Sequence, residues 1–297
     1  SAFKDRTMEY DIDNSGCRGI VVGDMDNNGY PDILKWRFMS EAQPDHDCSE
    51  YDYETICTDD TNCYWEENNC WNGAGNEMMP HNILMNDGNN TFITHNFLPD
   101  YELNFLHSLG LLDADLDGDL DLLAIQEEDD DQFMLYLNEG FDDTGAPEFD
   151  KVYTFYRSYG DISASRIIAI SDYDDDGDQD VYVGRKYGYN WFFENQTLTG
   201  SAGDVTYHSN PEPFFIEKAV PLGIADFEVN EIGSMGYGAA WGDYDNDQDF
   251  DLYLANWGVN RLYNNDDNTF TNVANVQHLE SEELSNGVSW GDYNNDG

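Results

Sequence analysis

A short aspartate-rich segment occurs five times in this sequence, with an oxygen-bearing side chain at nearly every second position. Four copies are complete and the fifth is partial: DMDNNGYPD at 24–32, DADLDGDLD at 113–121, DYDDDGDQD at 172–180, DYDNDQDFD at 243–251 and DYNNDG at 292–297. When such a chain curls, alternate positions project their oxygens into one concavity, which is the arrangement that hard cations bind. We therefore predict a cation site in each copy and number its positions from the first aspartate.

Positions 1, 3, 5 and 9 are predicted to supply side-chain oxygens, and position 7 a backbone carbonyl. These candidate ligands are Asp24, Asp26, Asn28, Tyr30 and Asp32; Asp113, Asp115, Asp117, Asp119 and Asp121; Asp172, Asp174, Asp176, Asp178 and Asp180; Asp243, Asp245, Asp247, Asp249 and Asp251; and Asp292, Asn294 and Asp296. With one bidentate carboxylate or a water they provide the six to eight oxygens that Ca²⁺ takes, whereas Zn²⁺ would require histidine or thiolate. We expect four complete calcium sites and a fifth, truncated one.

The competing interpretation of these loops is the EF-hand, which requires a glutamate at position 12 and flanking helices. Position 12 is instead Lys35, Ala124, Val183 or Leu254, and the flanking runs are typical of strands. A second interpretation, that these are only aspartate-rich turns, is disfavoured by four copies in phase with the strand pattern. Copy one should bind least tightly because it has Asn28 at position 5. Copy four has Gln248 where the others have glycine, which costs about 1 kcal/mol if that residue is left-handed.

A second phrase follows the first four copies, and the two phrases together define a repeat. It reads NILMNDGNNTF at 82–92, MLYLNEG at 134–140, WFFEN at 191–195 and RLYNNDDNTF at 261–270. From the first aspartate to the asparagine of this phrase takes 25, 23 and 21 residues in copies two to four, ending at Asn138, Asn195 and Asn264, but 62 in copy one. We infer an insertion of roughly 40 residues in the first repeat, at residues 40–80.

The apolar runs of each repeat predict an all-β fold. GIVVG, DLLAI, RIIAI, DVYVG and DLYLA are short and rich in β-branched or aromatic residues. Each repeat is interpreted as strand, loop, strand, turn and strand, with a fourth strand near TFTNV at 269–273. A repeat of about 60 residues with three or four strands fits one blade of a β-propeller, predicted here to have four-stranded blades with calcium-binding hairpin loops.

The pattern D-x-D-x-[DN]-G-x-x-D between strands, preceded by Gly-Asp and followed by L-Y-x-N, resembles the FG-GAP/VCBS repeat family of integrin α-type propellers. Copy four and the start of copy five especially resemble cartilage acidic protein-like repeats. The resemblance implies a propeller, usually of seven blades, with calcium in the blade hairpins. Seven blades of about 60 residues would need about 420 residues. Residues 1–297 are therefore expected to be an incomplete propeller of four to five blades.

Five cysteines, at 17, 48, 57, 63 and 70, predict disulfides. Their spacing contains no C-x-x-C, so a zinc cluster is not expected. Two disulfides within residues 40–80 have three possible connectivities, and Cys17 is left to pair with one of Cys48, Cys57, Cys63 or Cys70, with a cysteine beyond residue 297 or with another subunit. Together with calcium and the glycosylation sequons at Asn89 and Asn195, the disulfides favour an oxidising, extracellular compartment.

Charge narrows the choice of partners. Twelve basic against 62 acidic residues give a formal net charge of −50, which would repel nucleic acid, anionic membranes and acidic substrates. The 40% apolar and 14% aromatic content contradicts disorder, and no apolar run is long enough to span a bilayer. Of the acids, 42 are aspartate and 20 glutamate, which favours loops that hold cations over helical surfaces.

The leading prediction is a non-enzymatic, extracellular adhesion, matrix or assembly protein, which could form filaments and bind a protein or glycan partner. No nucleophile elbow, P-loop or dinucleotide fingerprint is present, so no catalytic residue is assigned. The alternative is a carbohydrate-binding propeller, either a lectin or a polysaccharide lyase or hydrolase. Its tryptophans could stack on sugars, although most are expected in the core. The aromatic residues of the insertion are candidates for a binding surface or for the insertion's own small core.

Overall fold

The computed structural model describes residues 19–36, 63–66, 69–72, 82–89, 91–96, 106–126, 132–156, 165–185, 188–201, 204–209, 211, 214–226, 235–280, 285 and 287–291. These residues form twenty β-strands. None of them belongs to a helix with the length and apolar character needed to cross a membrane. The all-β prediction is confirmed for this part of the chain.

Sixteen strands form four antiparallel sheets, each with its strands in chain order. Sheet I contains β1 (Gly19–Gly23), β2 (Asp32–Trp36), β5 (Asn82–Asn86) and β6 (Phe92–Asn96); sheet II contains β7 (Leu106–Leu112), β8 (Asp121–Gln126), β9 (Gln132–Phe141) and β10 (Pro147–Tyr156). Sheet III contains β11 (Ser165–Ser171), β12 (Asp180–Arg185), β13 (Trp191–Asn195) and β16 (Phe215–Glu217); sheet IV contains β17 (Met235–Gly242), β18 (Asp251–Trp257), β19 (Arg261–Asp266) and β20 (Thr269–Asn272). Each predicted repeat thus forms one four-stranded sheet, and the fourth strand expected near 269–273 is present.

Two hairpins interrupt this order. One joins β3 (Cys63–Glu66) to β4 (Asn69–Asn72), and the other joins β14 (Leu198–Ser201) to β15 (Asp204–Tyr207). The first lies within residues 40–80, and sheet I passes from β2 directly to β5 across that segment. The second lies between β13 and β16 of sheet III and was not predicted.

The four aspartate-rich segments occupy the same place in their sheets. Each connects the first strand to the second, and its position-9 aspartate is the first residue of the second strand. This aspartate pairs with the last residue of the first strand in every sheet: Gly23 with Asp32, Leu112 with Asp121, Ser171 with Asp180, and Gly242 with Asp251. The same strand register therefore positions all four aspartate-rich loops. We call them loops I to IV after their sheets.

Apolar side chains pack between neighbouring sheets and so stack the sheets in chain order. Three buried clusters lie between sheets I and II, II and III, and III and IV. Strand β8 contributes to two of them, because Leu122 and Ala124 face sheet I while Leu123 and Ile125 face sheet III. Burial on both faces explains its continuous apolar run. The first strands also touch, β1 with β7, β7 with β11, and β11 with β17.

Candidate metal centres

Each loop brings three carboxylates together. One oxygen from each of positions 1, 3 and 9 lies within 4.8 Å of the other two, and this holds for Asp24, Asp26 and Asp32; Asp113, Asp115 and Asp121; Asp172, Asp174 and Asp180; and Asp243, Asp245 and Asp251. The position-5 carboxylates do not belong to these groups. Three of the predicted side-chain positions are thus brought together in every described loop.

Hydrogen bonds within the loop explain where positions 1 and 5 point. In loop III, Asp172 accepts the amide of Gly177 over 3.0 Å and that of Asp176 over 3.1 Å. Asp176 in turn accepts the amide of Asp178 over 3.1 Å. The equivalent bonds from positions 6 and 7 recur in the other three loops. The position-5 side chain therefore braces the turn.

The turn needs a left-handed backbone at positions 4 and 6. At position 4, φ lies at 54° for Asn27, 62° for Leu116, 55° for Asp175 and 62° for Asn246. At position 6, three loops have glycine, but Gln248 takes φ of 83°. Gln248 therefore adopts the left-handed backbone conformation that the sequence raised as a possibility. The left-handed residues at position 4 were not predicted, and among these four Leu116 is the one with an apolar side chain.

The position-9 aspartate is an anchor as well as a candidate ligand. In loop II, Asp121 accepts the amide of Ala114 through Oδ2 over 2.7 Å and the amide of Asn138 through Oδ1 over 2.9 Å. The same pair of bonds forms in loops I, III and IV, where Asp32, Asp180 and Asp251 accept from position 2 and from the third strand. Each anchor is almost fully buried and ties the loop to two strands.

In sheet IV, the asparagine equivalent to Asn138 and Asn195 is not the one predicted from the repeat. The amide that donates to Asp251 belongs to Asn265, at 2.9 Å. Asn264, which was predicted to be the equivalent residue, directs its side chain to Asp245 and Asp251 instead. Because two asparagines stand side by side, the sequence could not show which one takes the third-strand position.

Burial makes these carboxylates difficult to ionise when no cation is bound. It raises the pKa of Asp121 and of Asp174 to about 7, and that of Asp178 to about 8. Burial likewise places the pKa of Asp180 well above its ordinary value, and neighbouring carboxylates add to the shift. Backbone amides lower the pKa of Asp121, but desolvation dominates. A cation bound among these groups would reverse that balance.

Unsatisfied oxygens supply a test of whether a cation fits. Among the described residues, Asp113 Oδ1 and Asp174 Oδ1 are buried and accept no hydrogen bond, although each belongs to a three-carboxylate group. A buried, unpaired carboxylate oxygen is costly, and a divalent cation would satisfy it. The groups contain oxygen donors without histidine or cysteine, which suits Ca²⁺ and does not suit Zn²⁺.

Some predicted sites lie outside the described residues. These are loop residues Asp292, Asn294 and Asp296, and Cys17, Cys48 and Cys57. The backbone of the β3–β4 hairpin is described and pairs Cys63 with Asn72 and Trp65 with Cys70. The predicted disulfides concern side chains that are not described, so they remain predictions.

The two glycosylation candidates differ sharply in exposure. Asn89 lies in an exposed turn. Asn195 is fully buried, and its Nδ2 donates to the carbonyl of Ala114 over 3.0 Å. Thr197 of the same sequon is buried too and donates to that carbonyl over 2.7 Å. The prediction for Asn195 is corrected, because the folded protein has no room for a glycan on this nitrogen.

The tryptophans proposed for sugar stacking are divided between core and surface. Trp36 and Trp191 are buried, and Trp241 packs against the cluster between sheets III and IV. Trp257 and Trp290 are partly exposed. Trp290 donates to the carbonyl of Ala240 over 3.1 Å. The described tryptophans therefore form no continuous aromatic surface of the kind that a sugar chain would need.

One family model matches this chain. Residues 233–297 match the FG-GAP-like repeat, so this part of the chain carries such a repeat and the resemblance inferred from the sequence is confirmed there. The match includes sheet IV and loop IV. No curated protein matches the chain.

Proposed function

We propose that this protein is a calcium-stabilised β-propeller that acts outside the cell as an adhesion, matrix or assembly protein, without enzymatic activity. The observation that carries the proposal is the recurrence of one three-carboxylate group, in one register, in four successive sheets. A single acidic turn has many explanations. Four equivalent groups, two of which contain a buried and unsatisfied carboxylate oxygen, are best explained by cations.

The packing of the sheets supports a propeller. Sheets stacked face to face with their first strands in contact are expected when the first strand of every blade lies nearest the axis. Residues 287–291 extend the pattern, since Trp290 donates to Ala240 of sheet IV as Trp241 donates to Ala169 of sheet III, over 3.1 and 3.3 Å. The FG-GAP-like repeat at 233–297 agrees with this architecture.

In this proposal, positions 1, 3 and 9 hold the cation, assisted by the carbonyl of position 7 and, through water or a small movement, by position 5. Calcium bound there would neutralise carboxylates that otherwise repel one another. The chain's own contribution is to hold the loop closed through the amides of positions 5 to 7 and to anchor it through position 9. A filled site stabilises the fold by about 2.7 kcal/mol when calcium is a hundredfold above the dissociation constant.

Charge and calcium availability support an extracellular setting. Calcium sites of the weaker class fill at the millimolar concentrations found outside cells. Four bound cations would change the formal charge from −50 by +8 to −42, so the surface stays strongly acidic. Such a surface favours basic partners, or partners bridged by calcium, in adhesion or self-assembly.

Thermal melting of the metal-stripped protein tests the calcium part of the proposal. Four sites at about 2.7 kcal/mol each should raise the melting temperature by tens of degrees when millimolar calcium is added. Magnesium at the same concentration is the control and should do less, because it demands a tighter octahedral site. Equal melting in calcium and in excess EDTA would refute calcium stabilisation.

Labelling of intact cells tests the extracellular part. An antibody raised against the exposed turn at 142–145 should label cells of the source organism, or the matrix around them, without permeabilisation. An antibody against a cytoplasmic protein serves as the control for cell integrity. Labelling that requires permeabilisation would contradict the proposed location while leaving the calcium sites unaffected.

A further inference from the structure

A buried hydrogen-bond path joins the anchor of loop III to the anchor of loop II. The amide of Asn195 donates to Asp180 Oδ1 over 2.9 Å, and the side-chain Nδ2 of Asn195 donates to the carbonyl of Ala114 over 3.0 Å. The amide of Ala114 then donates to Asp121 Oδ2 over 2.7 Å. All four residues are almost fully buried, so water does not compete for these bonds.

The same path continues from loop III to loop IV. The amide of Asn265 donates to Asp251 Oδ1 over 2.9 Å, and its Nδ2 donates to the carbonyl of Tyr173 over 3.0 Å. The amide of Tyr173 donates to Asp180 Oδ2 over 3.3 Å. Asp180 therefore receives one bond from each direction, and the path runs through three metal groups.

Two hydroxyls, one from Thr197 between β13 and β14 and one from Tyr207 of β15, add further contacts with loop II. Thr197 Oγ1 donates to the carbonyl of Ala114 over 2.7 Å, and Tyr207 Oη donates to the carbonyl of Asp115 over 3.2 Å. Ala114 and Asp115 occupy positions 2 and 3, so both carbonyls lie in the stretch that carries the ligands at positions 1 and 3. Residues of sheet III thus hold the backbone of the neighbouring metal loop.

Within the described residues, this buried path does not reach loop I. Asn138 of sheet II is equivalent to Asn195, and its amide also donates to an anchor, Asp121, over 2.9 Å. Its Nδ2, however, donates to the carbonyl of Leu120 in its own loop, over 3.4 Å. Loops I and II meet through the exposed Asn27 side chain, which donates to loop II. Loop I therefore serves as a control, because it has the three-carboxylate group but not, in the part of the chain that the structure describes, the buried hydrogen-bond path.

We propose that loops II, III and IV bind calcium cooperatively, with Asn195 and Asn265 as the positioning residues that couple them. This rests on the proposed function, because it requires the loops to bind cations. A cation held by positions 1, 3 and 9 of one loop would restrain the anchor, and the anchor accepts an amide of the third strand. The third-strand asparagine holds position 2 of the preceding loop, between two ligands. Ordering one site therefore lowers the conformational-entropy cost of ordering the next site.

Calorimetric calcium titration of the metal-stripped full chain provides the test. The unmodified chain should show a Hill coefficient above 1. Asp174→Ala disables the central loop III, so it should remove one site, weaken loops II and IV about fivefold or more, and bring the Hill coefficient to about 1. Asp26→Ala disables loop I and is the matched control, which should remove one site and keep the coefficient above 1.

Two gentler variants address the coupling contacts without removing a ligand. Thr197→Val and Tyr207→Phe each delete one hydroxyl that binds a loop II carbonyl, and both should lower the Hill coefficient. Thr199→Val is the control, because its hydroxyl binds His208 within the same hairpin region rather than loop II. Circular dichroism before each titration confirms that the variant retains its strands.

The outcomes separate the two proposals. No calcium binding by the unmodified chain would refute the proposed function and the coupling together. Binding in which Asp174→Ala and Asp26→Ala each remove one site, with the remaining constants unchanged, would keep the calcium sites and overturn the coupling. Loss of cooperativity in Asp174→Ala and in the two hydroxyl variants, but not in the controls, would establish it.

Discussion

Gln248 and Gly177 hold the same place in their loops, position 6, but differ in their freedom to adopt it. Both are left-handed, with φ of 83° and 106°. A left-handed backbone costs a residue with a β-carbon roughly 1–2 kcal/mol, and glycine nearly nothing. Loop IV therefore keeps its shape against a local strain that loop III does not have, and the hydrogen bond from the Gln248 amide to Asp243 helps to hold it.

Gln248→Gly should stabilise the protein. Relief of the left-handed strain is offset in part by the greater freedom of glycine in the unfolded chain, so the net gain in free energy of unfolding should be about 0.5–1 kcal/mol. Urea denaturation in saturating calcium measures it. Gln248→Ala retains a β-carbon and should give no comparable gain, and an equal gain from alanine would contradict the backbone explanation.

The raised pKa values predict an unusual dependence of stability on pH. The metal-free folded state holds protons on Asp121, Asp174 and Asp178 that the unfolded chain releases near pH 4. The stability that these three groups contribute is therefore full below about pH 4 and is lost as pH rises from there through about 7 to 8. In EDTA, the melting temperature should decrease from pH 5 to pH 8.

Asp178→Asn is the variant that tests the source of this pH dependence. It keeps the shape of the side chain and an oxygen for the amide of Leu198, but removes a carboxyl whose pKa is about 8. The decrease in melting temperature between pH 5 and pH 8 should become smaller in EDTA. Asp143→Asn, in an exposed turn, is the control. An unchanged pH dependence in Asp178→Asn would show that its carboxyl is not responsible.

Position 9 ties the loop to a strand through backbone amides, whereas position 3 of loop IV meets β19 only through the side chain of Asn264, at 3.4 Å. Asp251 is buried and accepts the amides of Tyr244 and Asn265, so it ties loop IV to β19. Asp245 is exposed, and its pKa is raised first by desolvation within the loop and then by the negative charges of its neighbours. Both belong to the same three-carboxylate group, but of the two only Asp251 is buried and accepts backbone amides.

Alanine substitutions in loop IV should separate these two roles. Asp251→Ala leaves two amides unpaired, at a cost of about 1–3 kcal/mol each, so it should destabilise the protein even in EDTA. Asp245→Ala removes a repelling charge and one long, exposed contact with Asn264, so it should leave the metal-free stability nearly unchanged. Both variants should bind one calcium fewer by calorimetry. Equal destabilisation by both in EDTA would contradict the anchoring role.

Strands could be predicted from the sequence where both faces of the strand are buried, because such strands have a continuous apolar run. DLLAI and DVYV are apolar on both faces, as expected of strands between two layers, and β8 and β12 form there. The β14–β15 hairpin escaped prediction because its strands have only four residues each and carry no long apolar run. The fourth strand of sheet III, β16, is shorter still and follows this hairpin.

The members of the three-carboxylate groups were predictable from the sequence, but the contacts that support them were not. Alternate aspartates specify which oxygens converge, and positions 1, 3 and 9 do so. The bond from the anchor to the third strand depends on how two segments approach each other, and no local spacing encodes it. Asn195 shows this best, since its sequon suggests an exposed acceptor while its fold position buries it completely. Tertiary packing, which the sequon does not encode, makes Asn195 a buried hydrogen-bond donor rather than an exposed glycan acceptor.

At the scale of the molecule, aromatic packing and charge act against each other. Between sheets II and III, Phe133 stacks on Phe193 with ring centroids 4.2 Å apart, and Phe215 meets both rings edge to face. Such layers hold the sheets together through apolar contact, which salt affects little. The net charge of −50 opposes compaction because the carboxylates repel one another.

Salt should therefore stabilise the metal-free protein more than the calcium-bound one. Raising sodium chloride from 0.01 to 1 M shortens the Debye length from about 30 to about 3 Å and screens repulsion between surface carboxylates. In EDTA the melting temperature should rise clearly over this range. With saturating calcium the rise should be smaller, because the closest carboxylates are then neutralised by the bound cations rather than by mobile ions. A rise of equal size in both conditions would mean that the loop carboxylates contribute little to the repulsion, and that the cations do not relieve it.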